Sequence, residues 1–456
     1  MNFHSFARGI DVGAHCYLLE LGGTRIILDA GTHPKFDGAE TLPILDNLHF
    51  DSVDALIVTH AHLDHIGALP VLARHLPGAS ILASEETIVV GEAMLHNSVN
   101  VMTAQRKELD LIDYPLYSHR EVEKLRERWL HLPFRREFPV DQHGEVTAEL
   151  LPAGHVIGAA AALIRCRDRR IFYTGDLHFE DQSLCRGADF SALTEEPIDT
   201  LIVETTRGDS DRPSDYTREK ETARFLEAIR ETIAQGGSVL VPVFAFGKTQ
   251  ELIAMLYHAF LEGQLPEIPF HVGGLGTKIT HLFDQISDRS RRFLPGVKML
   301  AELPWLSRPA KRDPEPEYQP GRIYGISSGM MSEHTVSNRF ARHILPNPRN
   351  ALLFIGYADP ESPAGRILSA SPGEAVSMNE RDGGRKMEVN CRVEKFDFSG
   401  HAPRHQLLDF IVRTRPKHTV LVHGDESARL WFADQLRQLA PDMRVTIPRP
   451  GVPIDL

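Results

Sequence analysis

The sequence predicts an α/β protein in which one layered domain is interrupted by a second. Three observations carry this. Through residue 208 the apolar segments are short and strand-like with helical stretches between them, the pattern of sheets layered with helices. After residue 208 the period changes to long helices alternating with buried strands. Near residue 388 short strands return. The expected boundaries are 1–208 and 391–456 for the two parts of one domain and 209–390 for the insertion.

In chain order, "HCYLLEL", "GG" and "TRIILDA" read as a hairpin with a Gly-Gly turn. "VDALIVTH" is a strand, "GALPVLARHL" a short helix and "SILAS" another strand. "EETIVVGEAMLHNSVNVMTAQRKEL" has helical spacing, and "SHREVEKLRERWLHL" reads as a charged amphipathic helix over 118–132. "AALIRCRDRRIFYTGD" is a second hairpin turning near Asp168, and "DTLIVET" a buried strand. In the insertion, "TREKETARFLEAIRETIAQGG" is a helix stopped by Gly-Gly. "SVLVPVFAF" followed by "GKTQELIAMLYHAFLEG" is a strand–helix unit of the doubly wound type. Residues 306–322, rich in Pro and charge, read as an exposed loop. "GRIYGISSG" and "NALLFIGY" are further strands, followed by "EVNCRVEKFDFSG" and "HTVLVHGD". Internal repeats and low-complexity tails are absent from the sequence.

The chain has 456 residues, 42% hydrophobic and 25% charged, in the range of soluble globular proteins. No apolar run reaches the length that spans a bilayer, so no membrane partner is expected. The N-terminal stretch lacks the basic and apolar regions of a signal peptide, and a cytoplasmic location is expected. Cys16, Cys166, Cys185 and Cys391 are scattered and read as reduced structural thiols. The formal charge of −12 speaks against a nucleic-acid binder with a broad basic footprint. Of the 50 basic residues 39 are Arg, whose planar fork suits phosphate; base composition of the gene explains the same bias.

The chemistry concentrates in "VTHAHLDHIG", residues 58–67, where His60, His62, Asp64 and His65 follow an apolar strand. His60 and His62 point the same way in extended backbone. Asp64 and His65 enter the following turn, so one loop can face two neighbouring metal positions. His nitrogen and Asp oxygen are both zinc ligands. Further donors stand directly after buried strands: His155 in "LPAGHVIGA", Asp176 in "IFYTGDLH" and His423 in "TVLVHGD". Each alone is more often structural; the shared placement is what selects them. Asp29 in "IILDAG" follows the same rule and reads as an orienter of the ligand loop.

The HxHxDH loop, the Gly-flanked His155, "TGD" and the upstream "LDAG" resemble the metallo-β-lactamase superfamily. The interruption after residue 208 resembles its nucleic-acid-acting β-CASP branch. Glu204 in "DTLIVE", His401 in "FSGHAPRHQL" and His423 in "LVHGD" match that branch's signatures. "GGSVLVPVFAFGKTQELI", "SSGMMSEHTVSN" and "LLFIGYADPESPAGRIL" resemble stretches of its inserted domain. Within the branch the chain resembles the nuclease subunit of the pre-mRNA cleavage and polyadenylation machinery and its small bacterial RNase relatives. Two departures stand in the insertion: Glu333-His334 after "GMMS", where Gly is common, and the acid- and Pro-rich "ADPESPAG". They bear on substrate preference and leave the metal chemistry untouched.

The resemblance implies a metallo-β-lactamase αββα sandwich interrupted by an α/β β-CASP domain. It implies two Zn2+ per chain: His60, His62, His155 and a bridging Asp176 for one, Asp64, His65, Asp176 and His423 for the other. Such a pair activates water for in-line attack on phosphorus. Asp64, His401 and Glu204 are the implied catalytic residues, with His401 as the acid for the leaving oxygen and Glu204 as its orienter. Outside that pattern, Glu204 reads as a salt-bridge partner and His401 as a capping or core histidine. His423, where DNA-acting members carry Val, favours single-stranded RNA as substrate. An endonuclease is expected; a 5′ exonuclease and a DNA-acting nuclease stay open. A small-molecule hydrolase is disfavoured by the insertion and the Glu204–His401 pair, and an inactive partner subunit by the full ligand set. A homodimer and processing-complex partners are both compatible with the resemblance.

Overall fold

The computed structural model describes residues 1–45, 53–290, 292–293, 296–303, 306–307, 316–379 and 386–456. The chain divides into two compact units: residues 1–181, 185–212 and 400–456 form the first, and 182–184 with 213–399 the second.

The first unit holds two seven-stranded sheets. One runs, edge to edge, through Ile454–Asp455, Asn2–Ser5, Tyr17–Leu21, Thr24–Leu28, Ala55–Ile57, Ser80–Ala83 and Trp129–His131. The other runs through Arg444–Thr446, His418–Val422, Thr200–Glu204, Arg169–Tyr173, Ala160–Cys166, Val146–Pro152 and Glu137–Pro139. Their facing side chains make one core, in which Tyr17, Leu19, Ile26 and Leu28 meet Ala148, Leu150, Ile164 and Tyr173. The opposite face of the first sheet packs Ile27, Leu56 and Ile81 against helical Leu69, Leu72, Leu95 and Val122. On the outer face of the second sheet Phe172 meets Phe410 of the helix Arg404–Thr414. The order is therefore helix, sheet, sheet, helix, the αββα sandwich expected.

Parallel pairing brings strand ends together. Leu28 pairs with Ile57 in the first sheet, and Tyr173 with Ile202 and Glu204 with Val422 in the second. The loops that follow these strands therefore open on a common edge, where ligands gather in α/β sheets. A backbone bond from Ala160 N–H to the Thr59 carbonyl (2.9 Å) ties the two sheets there.

The second unit is built on a six-stranded, all-parallel sheet ordered Leu306–Ser307, Phe270–Val272, Ile323–Ile326, Val239–Pro242, Ala351–Phe354, Arg392–Lys395. The strand–helix alternation over 238–263 appears as Val239–Pro242 followed by Lys248–Leu261. The segment Gln182–Leu184 belongs to this unit because the buried Glu251 carboxylate accepts from the Ser183 and Leu184 N–H groups (2.7 and 3.0 Å).

Two expectations are corrected, and the contact division differs from a third. By contacts the second unit runs to residue 399, beyond the 390 expected, because Arg392–Lys395 pairs in register with Ala351–Phe354 of its sheet, while the boundary between domains stays an expectation. The helix expected over 118–132 stops at Leu125, and Trp129–His131 instead extends the first sheet beside Ser80–Ala83. In the loop expected over 306–322, Leu306–Ser307 pairs with Phe270–Val272, while positions 308–315 lie outside the described residues. Among the described residues no helix is long and apolar enough to cross a membrane.

Candidate metal centre

The loop after Ala55–Ile57 carries His60 and His62, the latter in extended backbone, and then turns into the short helix Leu63–Ile66, which carries Asp64 and His65. That turn presses on "LDAG": a Cβ at Gly31 would sit 1.5 Å from the Asp64 carbonyl oxygen, so the position takes glycine only. Asp29 and His423 both adopt left-handed backbone (φ 58° and 46°), which costs a non-glycine residue roughly 1–2 kcal/mol. Such strain persists where the surroundings fix it, and both residues face the centre.

Two sets of donor atoms converge within the first unit. In the first, His62 Nδ1 lies 3.0 Å from His60 Nε2 and 3.2 Å from His155 Nε2. Two histidines on one tetrahedral zinc place their nitrogens roughly 3.3 Å apart, given Zn–N distances near 2.0–2.1 Å. In the second, Asp64 Oδ2 lies 3.6 Å from His65 Nε2 and 3.5 Å from His423 Nε2. Asp176 stands between them. Its Oδ1 faces His65 Nε2 (3.4 Å) and His423 Nε2 (3.1 Å), while its Oδ2 faces His60 Nε2 (3.5 Å) and His155 Nε2 (3.7 Å).

The far side of four of these rings is tied to protein. His65 Nδ1 donates to the Asp29 carboxylate (2.8 Å) and His155 Nδ1 to the Gly400 carbonyl (2.7 Å). His60 Nδ1 meets Thr59 Oγ1 (3.2 Å), and His423 Nδ1 meets Thr206 Oγ1 (2.8 Å). A carboxylate or carbonyl accepts only, so the protons of His65 and His155 sit on Nδ1 and the Nε2 lone pairs point inward. Asp29 is itself held by Thr59 N–H (2.7 Å) and the Tyr173 hydroxyl (2.6 Å).

Three inward atoms, His65 Nε2, Asp176 Oδ1 and His423 Nε2, are buried without a hydrogen-bond partner. Burying such groups unsatisfied is costly, and a cation bound among them removes the cost. The electrostatics agree. Burial lowers the pKa of His60, with His65 adding to it, and of His155, with His401 adding to it, so both rings stay neutral. Burial would raise Asp176, but His423, His65 and His401 outweigh it and hold the carboxyl well below its usual range. Burial would likewise raise Asp64, and His65 and His423 outweigh it. Burial would lower His65, but Asp176, Asp64 and Asp29 outweigh it and hold its pKa well above the usual histidine value, so a divalent metal bound there would displace that proton.

Glu204 and His401 form a third group against Asp176. Both Glu204 oxygens lie 3.1 Å from His401 Nδ1, and they also accept from the N–H of Leu177 (2.7 Å) and Thr206 (3.3 Å). Glu204 is thus pinned by backbone rather than open to a metal. His401 Nε2 turns toward Asp176 Oδ2 at 3.9 Å. Burial would lower the His401 pKa; Glu204 first and Asp176 second outweigh it, and the net shift is upward.

Every site residue expected from sequence is brought to this centre. His15 is also there and was not expected: its ring stacks on His423 at 4.0 Å between centroids. The only sequence signal for it is its position, directly ahead of the strand Tyr17–Leu21.

The fold and donor set define a metal-binding hydrolase scaffold. The model of the metallo-beta-lactamase superfamily matches residues 9–233, that of the Beta-Casp domain residues 249–367, and that of the Zn-dependent metallo-hydrolase RNA specificity domain residues 386–448. The chain belongs to the metallo-β-lactamase superfamily, in its β-CASP branch. It is 28% identical to "Endoribonuclease ysh1" of Schizosaccharomyces pombe, over all of this chain and 59% of that one. It is 29% identical to "Cleavage and polyadenylation specificity factor 73" of Drosophila melanogaster, over 98% of this chain and 64% of that one. The chain thus spans about three fifths of the length of these relatives. A third relative, "Probable RNase MJ4" of Methanocaldococcus jannaschii, is 28% identical over 91% of both chains. A solved structure from Enterococcus faecalis, of unknown function, shares the fold over the full length of both chains with a TM-score of 0.58 and 16% identity.

Proposed function

We propose that this chain is a zinc-dependent ribonuclease that hydrolyses phosphodiester bonds of single-stranded RNA, acting endonucleolytically in RNA processing or decay. The observation that carries the reading is Asp176, whose two oxygens face two separate sets of donors, with the Glu204–His401 pair alongside. His60, His62, His155 and Asp176 would hold one zinc, and Asp64, His65, Asp176 and His423 the other. Zinc so held supplies Lewis acidity toward a phosphoryl oxygen and an activated water at neutral pH. Asp29, the Gly400 carbonyl and Thr206 keep the ligand rings aimed inward. Glu204 holds the His401 Nδ1 proton, which leaves the Nε2 proton free to pass to the leaving sugar oxygen.

RNA is favoured over DNA by His423, by the match to an RNA specificity domain, and by relatives whose names describe endoribonucleases. Cys16, Cys166 and Cys391 are buried thiols outside any disulfide, which suits the cytoplasmic setting we assign. The test is to incubate metal-replete protein with single-stranded RNA labelled at either end and with DNA of the same sequence. Internal RNA cuts that are lost on chelation are expected. Equal cutting of DNA would overturn the assignment to RNA, and stepwise release of mononucleotides from one end would overturn the endonucleolytic mode.

A further inference from the structure

His15 is fully buried beside the second donor set, and its ring brings a nitrogen close enough to Asp64, His65 and His423 to count as a further donor there. Its backbone is clamped between two loops of the centre: its N–H donates to the Asp64 carbonyl (3.1 Å) and its carbonyl accepts from Gly31 N–H (2.8 Å). Its ring lies against both histidines of the second donor set, stacked on His423 (4.0 Å, 27°) and tilted on His65 (5.0 Å, 43°). Among the described residues its ring contacts are with these two and Tyr17, and with none of His60, His62 and His155.

The ring lies within reach of a metal without being free to bind one. Its Nε2 is 3.9 Å from Asp64 Oδ2. That nitrogen already accepts the Gly13 N–H (3.0 Å), so its lone pair is used, and the Nδ1 proton goes to the Tyr17 hydroxyl oxygen (3.0 Å). The Gly13 donor position takes glycine: its φ is +145°, and a Cβ there would meet Pro34 Cδ at 2.6 Å. Tyr17 is wedged edge-on against Tyr173, whose hydroxyl donates to Asp29, the carboxylate that holds His65.

We infer that His15 is a positioning residue for one of the two metals only: a locked platform that fixes the ring planes of His423 and His65 and so sets the affinity of the position they form with Asp64. This rests on the two-zinc reading above. A ligand ring free to rotate loses part of its binding energy to ordering, and groups that orient metal ligands are worth about 10–100-fold in metal affinity. The other metal position, whose ligands His15 does not touch, keeps its affinity.

The test loads wild type, His15→Ala and His15→Phe with zinc and titrates each against a colourimetric chelator, with elemental analysis of zinc per chain. Wild type should release two zinc ions. His15→Ala should hold one as tightly as wild type and the other about 10–100-fold more weakly. His15→Phe keeps a flat ring but offers no nitrogen, and it should restore most of the lost affinity. The tightly held zinc reports that each variant is folded. Equal loss of one zinc in both variants would make His15 a ligand and overturn the platform. Unchanged affinities, or both zinc ions weakened alike, would overturn it as well. If wild type itself takes up no second zinc, the two-zinc reading falls and the inference falls with it.

Discussion

At the scale of single residues the division of labour follows from which atoms are already satisfied. Glu204 has its oxygens occupied by two backbone N–H groups and His401, and Asp176 keeps Oδ1 buried and unsatisfied, which is why the proposed function gives Glu204 the orienting part and Asp176 the binding part. His401→Ala should slow RNA cleavage by about 10²–10⁴-fold, because a sugar oxygen is a poor leaving group. The same variant should cleave an activated aryl phosphodiester at close to the wild-type rate, with zinc content unchanged; equal slowing of both substrates would remove His401 from the acid's role. Glu204→Gln tests the orienter through pH. An acid must be protonated to act, so the rate falls as pH rises through its pKa. Glu204 raises the His401 pKa, and without that charge the alkaline fall should move to lower pH. An alkaline limb that stays in place would contradict the pairing.

The HxHxDH loop was legible because four donors crowd into six residues, a local density that needs no knowledge of the fold. His15 was not legible. It is a lone histidine whose partners lie some fifty and four hundred residues along the chain, and only folding brings it to them.

At the scale of elements, the centre exists because parallel pairing lines up the ends of strands from distant parts of the chain, and the loops after those ends carry the donors. Strand-end placement could be read from apolar runs, which is why His155, Asp176 and His423 were found. Period alone failed where side chains serve two ends. Trp129–His131 continues the charged spacing of the preceding helix yet forms an edge strand whose Leu130 stays exposed. Arg392–Lys395 has the look of any short strand, and its sequence carries no mark of which sheet it joins.

The strand Phe270–Val272 offers a test at this scale, well away from any metal ligand in sequence. Burial, with Arg322 adding to it, pushes the pKa of His271 down to about 4. A histidine held neutral when folded stabilises fully above its unfolded pKa near 6.5, and that stability is lost as pH falls through 6.5 toward 4. Relative to His271→Asn, wild type should lose on the order of 1–3 kcal/mol between pH 7 and pH 4, read from urea unfolding of the second unit. A gap that does not change with pH would show that His271 is not held neutral.

At the scale of the whole molecule, a chain of net charge −12 that binds a polyanion must do so through local positive charge against an unfavourable overall field. Binding should therefore weaken steeply with salt. For about three phosphate contacts on single-stranded RNA, affinity should fall roughly 10–20-fold between 50 and 200 mM salt. Fluorescence anisotropy on chelator-stripped protein, which cannot cut the probe, measures this, and salt-independent binding would exclude phosphate contacts. The interrupted domain with its insertion was legible from the change of period; the strand Arg392–Lys395, which pairs in the second unit's sheet, carries no such signal.

In the proposed function RNA cleavage needs two zinc ions joined by one carboxylate. The most direct measurement strips the protein with chelator and returns zinc stepwise, following bound zinc and cleavage of end-labelled single-stranded RNA in the same samples. Cleavage should be absent in stripped protein, appear as the second equivalent binds, and fail to appear in Asp176→Ala, which should not hold two zinc ions. Full cleavage at one equivalent, or two zinc ions retained by Asp176→Ala, would contradict the account.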